Sequence, residues 1–309
     1  MKQVSKKMFL YTLILTLSVS CFNCQNTDKG GFYKGEIITN MPIEAKYKET
    51  GSEQVATVEF DCDNPTIGKI IAVYPQSMLR SDQAFPLVNI GNASNTTAYD
   101  LIEAMEHLAS WGYVVIGNMD KQTGSGLSVS QTLDAFLGLV AQPDNQFYGK
   151  IDTAKIAIAG YSQGAYGAVM AATAYPNSRL YKAVYQCSCP QKQIGINFKW
   201  GTTDFAKITA PLLMLAGTGD WDSKIISPEE AFQANFDETT GAFPVLAARH
   251  TGKDHEEMGG EGDAYMTAWF SYFLKGDTAA GKAFVGDDAE ILKNTDRWKD
   301  IKRKGLCTN

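Results

Sequence analysis

KIAIAGYSQGAYGAVMAA, residues 155–172, decides the architecture of this chain. It opens with alternating Ile and Ala, the composition of a short buried strand, and closes on an alanine-rich stretch that reads as helix. Between the two stands Gly160-Tyr161-Ser162-Gln163-Gly164. A G-x-S-x-G spacing arises by chance too often to decide anything alone, but between a strand and a helix it has the setting of a strained nucleophile turn. Bulky side chains at 160 and 164 would collide with neighbouring backbone, and glycine avoids the collision. The turn lifts the Ser162 hydroxyl above the sheet, where the helix N-terminus favours developing negative charge.

On the N-terminal side, VATVEF (55–60) and KIIAVY (69–74) read as antiparallel opening strands, and FPLVNIG (85–91) as a buried one. A helix is expected over 97–110, stopped by Trp111-Gly112, followed by the strand YVVIGN (113–118), a Gly/Ser-rich loop at 122–127 and a helix over 128–141. Beyond the central helix (163–175) come KAVYQC (182–187), APLLMLAG (210–217), a helix from Pro228 to 235, FPVLAAR (243–249) and a helix over 261–275. Strands separated by helical periods imply a mostly parallel sheet with helices on both faces. No internal repeat and no second composition regime interrupts the pattern, and the segment 188–209 is too short and polar for a large lid. The expectation is an α/β-hydrolase fold forming a single domain over residues 36–309.

The 309 residues are 44% hydrophobic and 20% charged, with net charge −6. Such a chain buries a full core and carries no basic footprint for nucleic acid or anionic lipid. A small or neutral partner fits better, and the oligomeric expectation is a monomer. At the N-terminus, Lys2, Lys6 and Lys7 precede an apolar run from Met8 to about Val19, and Ser20-Cys21 follows. That is the order of a secretory signal peptide over residues 1–21, shorter than the ~20 apolar residues a spanning helix needs. Ser20-Cys21 also resembles a bacterial lipoprotein signal, in which Cys21 would be lipidated and anchor the protein on the cell envelope. Periplasmic or secreted delivery is the alternative. Residues 22–35, with Cys24, read as a polar tether. Cys62, Cys187, Cys189 and Cys307 remain for the folded part; export permits disulfides, and sequence does not separate the three pairings. Cys187 and Cys189 stand two apart on an expected strand and so point the same way. No histidine near them gives zinc-ligand spacing, and neither metal nor cofactor is expected.

A serine hydroxyl needs an imidazole base and a group that orients the base. On this fold the acid and then the histidine follow the serine in chain order. LLMLAGTGDWDS (212–223) ends an apolar strand in a Gly-rich turn, which offers Asp220 and Asp222. Asp220, the first carboxylate after the strand, is preferred, and Asp222 fits a turn or cap. For the base, His107 precedes the serine and reads as structural, leaving His250 at a strand end and His255 in the loop TGKDHEEMGG (251–260). A base must swing over the nucleophile from a loop, so His255 is preferred. The oxyanion hole needs the N–H of the residue after the nucleophile, Gln163, and one after the early strand. Asn92 is favoured over Gln76, with Ala93 next, because strand 85–91 leads into a helix and a further strand as a parallel sheet demands. Tyr161, Phe198, Trp200 and Trp221 are candidates for lining an apolar acyl pocket, against the plainer reading of packing.

The run NIGNASNTTAYDLIEAMEHLASWGYVVIGN (89–118), then KQTGSG (121–126), then AIAGYSQGAYGAVMAA (157–172) resembles bacterial members of the dienelactone hydrolase group of α/β-hydrolases. That group includes chlorophyllase-like and cutinase-type polyester hydrolases. AYMTAWFSYFLKGDTAAGKAF (264–284) resembles their last helix, and the likeness covers roughly residues 55–285. The resemblance implies Ser162, Asp220 and His255 as a triad, with Asn92 and Gln163 as oxyanion donors. Two positions depart from the polyester-cleaving members: Gln163 stands where Met is usual, and Glu256-Glu257-Met258 where an aromatic often follows the histidine. Both bear on polymer binding and neither on ester hydrolysis. The functional expectation is a serine carboxylic-ester hydrolase working through an acyl-enzyme. The alternatives are a polyester or cutin-type hydrolase, a serine peptidase or amidase, and a non-catalytic surface-binding lipoprotein. Serine rather than cysteine at the elbow excludes a thiol-nucleophile dienelactone hydrolase.

Overall fold

The structure, a computed structural model, describes residues 37–307. The expected signal segment, the lipidation site Cys21 and the 22–35 tether with Cys24 lie outside the described residues. Among the described residues nine strands form one sheet: β1 (Val55–Asp61), β2 (Lys69–Pro75), β3 (Phe85–Gly91), β4 (Val114–Asn118), β5 (Ile151–Tyr161), β6 (Tyr181–Cys187), β7 (Leu212–Gly217), β8 (Val245–His250) and β9 (Trp298–Lys304). The order across the sheet is β1-β2-β4-β3-β5-β6-β7-β8-β9. Strands β4 through β8 run parallel, while β1, β2 and β9 pair antiparallel at the two sides. This is the mostly parallel α/β-hydrolase sheet that the strand–helix alternation predicts.

Alternation along each inner strand separates two cores. On one face Ala157, Ala159 and Tyr161 of β5 and Leu213 and Leu215 of β7 pack with the helices α2 (Ile102–Ser110) and α8 (Asp263–Lys275), which follow the short α1 (Pro42–Tyr47) and α7 (Met258–Glu261) respectively. On the other, Ile156, Ile158, Leu212 and Met214 pack with α3 (Leu127–Val140), α4 (Gln163–Ala174) and α6 (Glu229–Glu238), the last preceded in the chain by the short α5 (Lys192–Asn197). All five residues of β4 are buried, which is why that strand reads as a continuous apolar run rather than an alternating one.

Several expectations shift in detail. The helix expected from 97 begins as a 3-10 turn at Ala98–Leu101 before α2 takes over, and β5 starts at Ile151, ahead of its apolar run. Strand β9, WKDIKRK, is not announced by apolar periodicity, because an edge strand with most residues in solvent has no need of it. Cys187 and Cys189 do not share a strand face. Ser188 adopts φ 48° and turns the chain, so Cys187 joins the α8-side core while Cys189 packs with Ala165 and Tyr166. Cys62, Cys187, Cys189 and Cys307 are all free thiols, and burial pushes the Cys187 and Cys189 thiols well up from their ordinary range.

The register of β3 against β5 brings two glycines together. Gly91 lies opposite Gly160 at the carboxyl ends of these strands. A Cβ on Gly164 would sit 2.0 Å from the Gly91 carbonyl oxygen, and one on Gly160 2.1 Å from the Gly164 oxygen. Glycine at these positions lets the start of α4 rest directly on two strand ends, with the Gly91–Asn92 backbone against it.

Candidate active site

Ser162 sits between β5 and α4 at φ 56°, ψ −128°, a conformation that L-residues rarely adopt and that persists only where surroundings hold it. Here the Ser162 N–H donates to the Cys187 carbonyl of β6 (3.0 Å), and the Ser162 carbonyl accepts from Ala165 N–H (2.9 Å). The turn therefore fixes the hydroxyl at the carboxyl edge of the parallel strands, where α/β sheets place their ligand sites.

His255, on the loop after β8, meets that hydroxyl: Ser162 Oγ and His255 Nε2 are 2.9 Å apart. The other ring nitrogen, Nδ1, lies 2.9 Å from Asp222 Oδ1. A carboxylate only accepts, so Nδ1 carries the proton and Nε2 is left as the acceptor for the serine O–H. The ring is held on both sides, stacked on Tyr161 at 5.2 Å and edge-on to Trp221 at 4.9 Å. Tyr161 O–H also donates to the His255 carbonyl.

The acid brought to the base is Asp222, and Asp220 is displaced from that role. After β7 the chain enters a helical turn, and Asp222–Ile226 has π-helical form, with Ser227 N–H donating to the Asp222 carbonyl (2.7 Å). Residues two apart in such a turn face opposite sides. Asp222 is fully buried, and its Oδ2 accepts from Ser188 Oγ (2.8 Å) and Gly217 N–H (2.5 Å). The Asp220 side chain is 84% exposed and pairs with Lys224 at 2.8 Å. Ser188, whose hydroxyl completes the acid's shell, is not among the residues that the sequence singles out; it follows a strand end with no motif to mark it.

The remaining candidates are sorted by their contacts. His250 ends β8 with its Nδ1 3.0 Å from the Thr251 carbonyl oxygen and its ring edge against Trp298. Burial, and then the Arg297 guanidinium, push its pKa down to about 4. His107 lies 3.0 Å from the Tyr47 carbonyl. Asn92 is buried, its two Nδ2 hydrogens shared among the Asn118 and Asp120 backbone carbonyls and Asn118 Oδ1, while its backbone carbonyl accepts from Thr123 Oγ1 (2.6 Å). Those bonds pin the Asn92 backbone beside the elbow. Gln163 is the first residue of α4, so its N–H has no intrahelical partner, and its side chain donates to Gln122 Oε1 (3.1 Å). Of the four aromatic candidates, Tyr161 is a buried plate beneath the His255 ring rather than a wall. Phe198 stacks on Trp200, which lies against Tyr166 one turn along α4. Trp221 is half-exposed beside His255. Among the described residues no group of three or more His, Cys, Asp or Glu side chains is placed to hold a metal ion.

A hydroxyl, an imidazole and a buried carboxylate joined in one chain can draw the serine proton onto the ring as the oxygen attacks, and return it to a leaving group. A family model described as PETase, PET hydrolase-like, matches residues 91–301, a span that contains Asn92, Ser162, Gln163, Asp222 and His255. No curated protein matches the chain.

Proposed function

The chain belongs to the PET hydrolase-like family of serine ester hydrolases, and from that premise we propose a two-step acyl transfer centred on Ser162. Ser162 Oγ attacks the ester carbonyl while His255 Nε2 takes its proton, and Asp222 holds the Nδ1–H tautomer and the imidazolium that forms. The N–H groups of Gln163 and Asn92 receive the oxyanion at the start of α4. His255 then protonates the leaving alcohol, and a water activated by the same imidazole releases the acid from Ser162. The observation that carries this reading is the unbroken chain Ser162–His255–Asp222, with 2.9 Å at each link.

For substrate, we favour an exposed polyester-type ester over a peptide bond or a purely binding role. The family match supports it, as do Trp221 and Phe198, which are 44% and 65% exposed. We also propose that the protein works outside the cytoplasm, because Lys2, Lys6 and Lys7 precede an apolar run ending at Ser20-Cys21. The test compares wild type with Ser162→Ala on a fluorophosphonate probe, a chain-length panel of p-nitrophenyl esters and a polyester film. Loss of label and a fall in turnover of roughly 10³-fold or more are expected. Wild-type hydrolysis by Ser162→Ala would end the reading, and activity on esters but not film would end its polymer part.

A further inference from the structure

Two loops carry the acid and the base, and they are stitched together by their backbones. Thr218 N–H donates to the His250 carbonyl (3.0 Å), Gly219 N–H to the Lys253 carbonyl (2.7 Å), and Gly252 N–H to Thr218 Oγ1 (2.8 Å). One side chain reaches both residues of the acid–base pair. Asp254 Oδ1 accepts from Asp222 N–H (2.7 Å) and from His255 N–H (2.7 Å), while Oδ2 accepts from Trp221 N–H (3.2 Å). We propose that Asp254 is a positioning residue, whose carboxylate sets the separation and angle of Asp222 and His255 by binding the peptide N–H of each.

The proposal rests on the Ser162–His255–Asp222 reading and adds what holds that triad in register. Three N–H donors converge on one carboxylate, which a single backbone carbonyl with two lone pairs cannot serve. Partial burial would raise the Asp254 carboxyl, but the N–H groups of Asp222, His255 and Trp221 together hold it below the usual carboxylate range. The loop backing this carboxylate is itself fixed. Asp254 N–H donates to Glu257 Oε2 (3.0 Å), and Lys253 Nζ pairs with the buried Glu261 (2.8 Å), which in turn pairs with Arg297 (2.7 Å). A Cβ on Gly219 would lie 2.5 Å from the Asp254 Cβ, so the acid loop closes onto this residue directly. Neither oxygen of Asp254 touches the Ser162 hydroxyl or the His255 ring, so any effect on catalysis passes through the pair it spaces.

The test measures kcat and KM on a small soluble p-nitrophenyl ester for wild type, Asp254→Ala, Asp254→Asn and His255→Ala. Rates of wild type and the Asp254 variants are taken per active site, titrated to completion with fluorophosphonate, that of His255→Ala per protein chain, and thermal melts are run alongside. Displacing a reacting pair by about 1 Å costs on the order of 100-fold, so Asp254→Ala is expected to lower kcat by roughly 10- to 100-fold with KM within about twofold. Asp254→Asn keeps an oxygen for the Asp222 and His255 N–H groups and is expected to recover most of that loss. Unchanged kcat per titrated site in Asp254→Ala, even with a lowered melting point, overturns the proposal. So does an Asn variant no better than Ala. A His255→Ala variant with wild-type turnover would instead sink the triad reading itself.

Discussion

The elbow around Ser162 and the loop pair that carries Asp222 and His255 reach the same site by opposite means. The elbow is held by the absence of side chains: Gly91, Gly160 and Gly164 let two strands and a helix start touch backbone to backbone. The loop pair, joined by the backbone bonds Thr218–His250 and Gly219–Lys253, has its acid and base placed by side chains reaching backbone, with Asp222 on Gly217 N–H and Asp254 on the N–H groups of Trp221, Asp222 and His255. The first arrangement fails when an atom is added; the second, although Gly219 packs on Asp254 as tightly, also fails when one is removed. Substitutions that add or remove single groups therefore separate the two.

The largest effect should come from the loop pair. Asp222→Asn keeps the volume of the buried acid but removes the charge and the preference for the Nδ1–H tautomer of His255. By comparison with triads in general, kcat is expected to fall by about 10³–10⁴-fold. Steady-state kinetics on a p-nitrophenyl ester checks it. A loss below tenfold would mean that the buried carboxylate is structural and the base is oriented by something else.

Next comes the elbow. Gly164→Ala places a methyl 2.0 Å from the Gly91 oxygen and 2.8 Å from the Asn92 oxygen, both backbone atoms that have no rotamer to escape into. Overpacking of this kind costs roughly 3 kcal/mol at the upper end of its usual range, which in a domain this size lowers the melting point by about 6–12 °C. Activity should fall as well, because the displaced strand end carries Asn92. A Gly164→Ala protein that melts within a degree of wild type would show that the elbow relaxes more easily than its contacts indicate.

The same contrast explains which features are legible in the sequence. The parallel sheet and its helices follow from apolar runs such as VVIGN, which owe nothing to distant partners. The elbow is legible because its cause is local, a glycine spacing between a strand and a helix. His255 is legible because a loop is where a mobile imidazole must stand, and the chain offers two histidines after the serine. The acid is not legible: choosing between Asp220 and Asp222 depends on the phase of a π-helical turn whose Asp222 N–H is bonded to Asp254, some thirty residues on. Ser188 is hidden for the same reason, since its hydroxyl matters only once the Asp222 carboxylate is in place. Tyr161 reads as a pocket wall from its place in the motif, whereas its burial under His255 is a tertiary fact.

Asp220 gives the smallest expected effect and the sharpest control on the choice of acid. It lies two residues from Asp222 on the same turn, has the same carboxylate, and follows the strand first. Its ion pair with Lys224 joins side chains that are 84% and 65% exposed, and such pairs contribute about 0–1 kcal/mol. Asp220→Ala should therefore leave kcat within about twofold and the melting point within about 2 °C, the range of ordinary surface changes. Kinetics and a thermal melt on the single variant decide it. If Asp220→Ala instead loses activity on the scale expected of Asp222→Asn, the turn must present Asp220 to His255 during catalysis. The backbone clamp at Asp254 would then hold a resting arrangement rather than the working one.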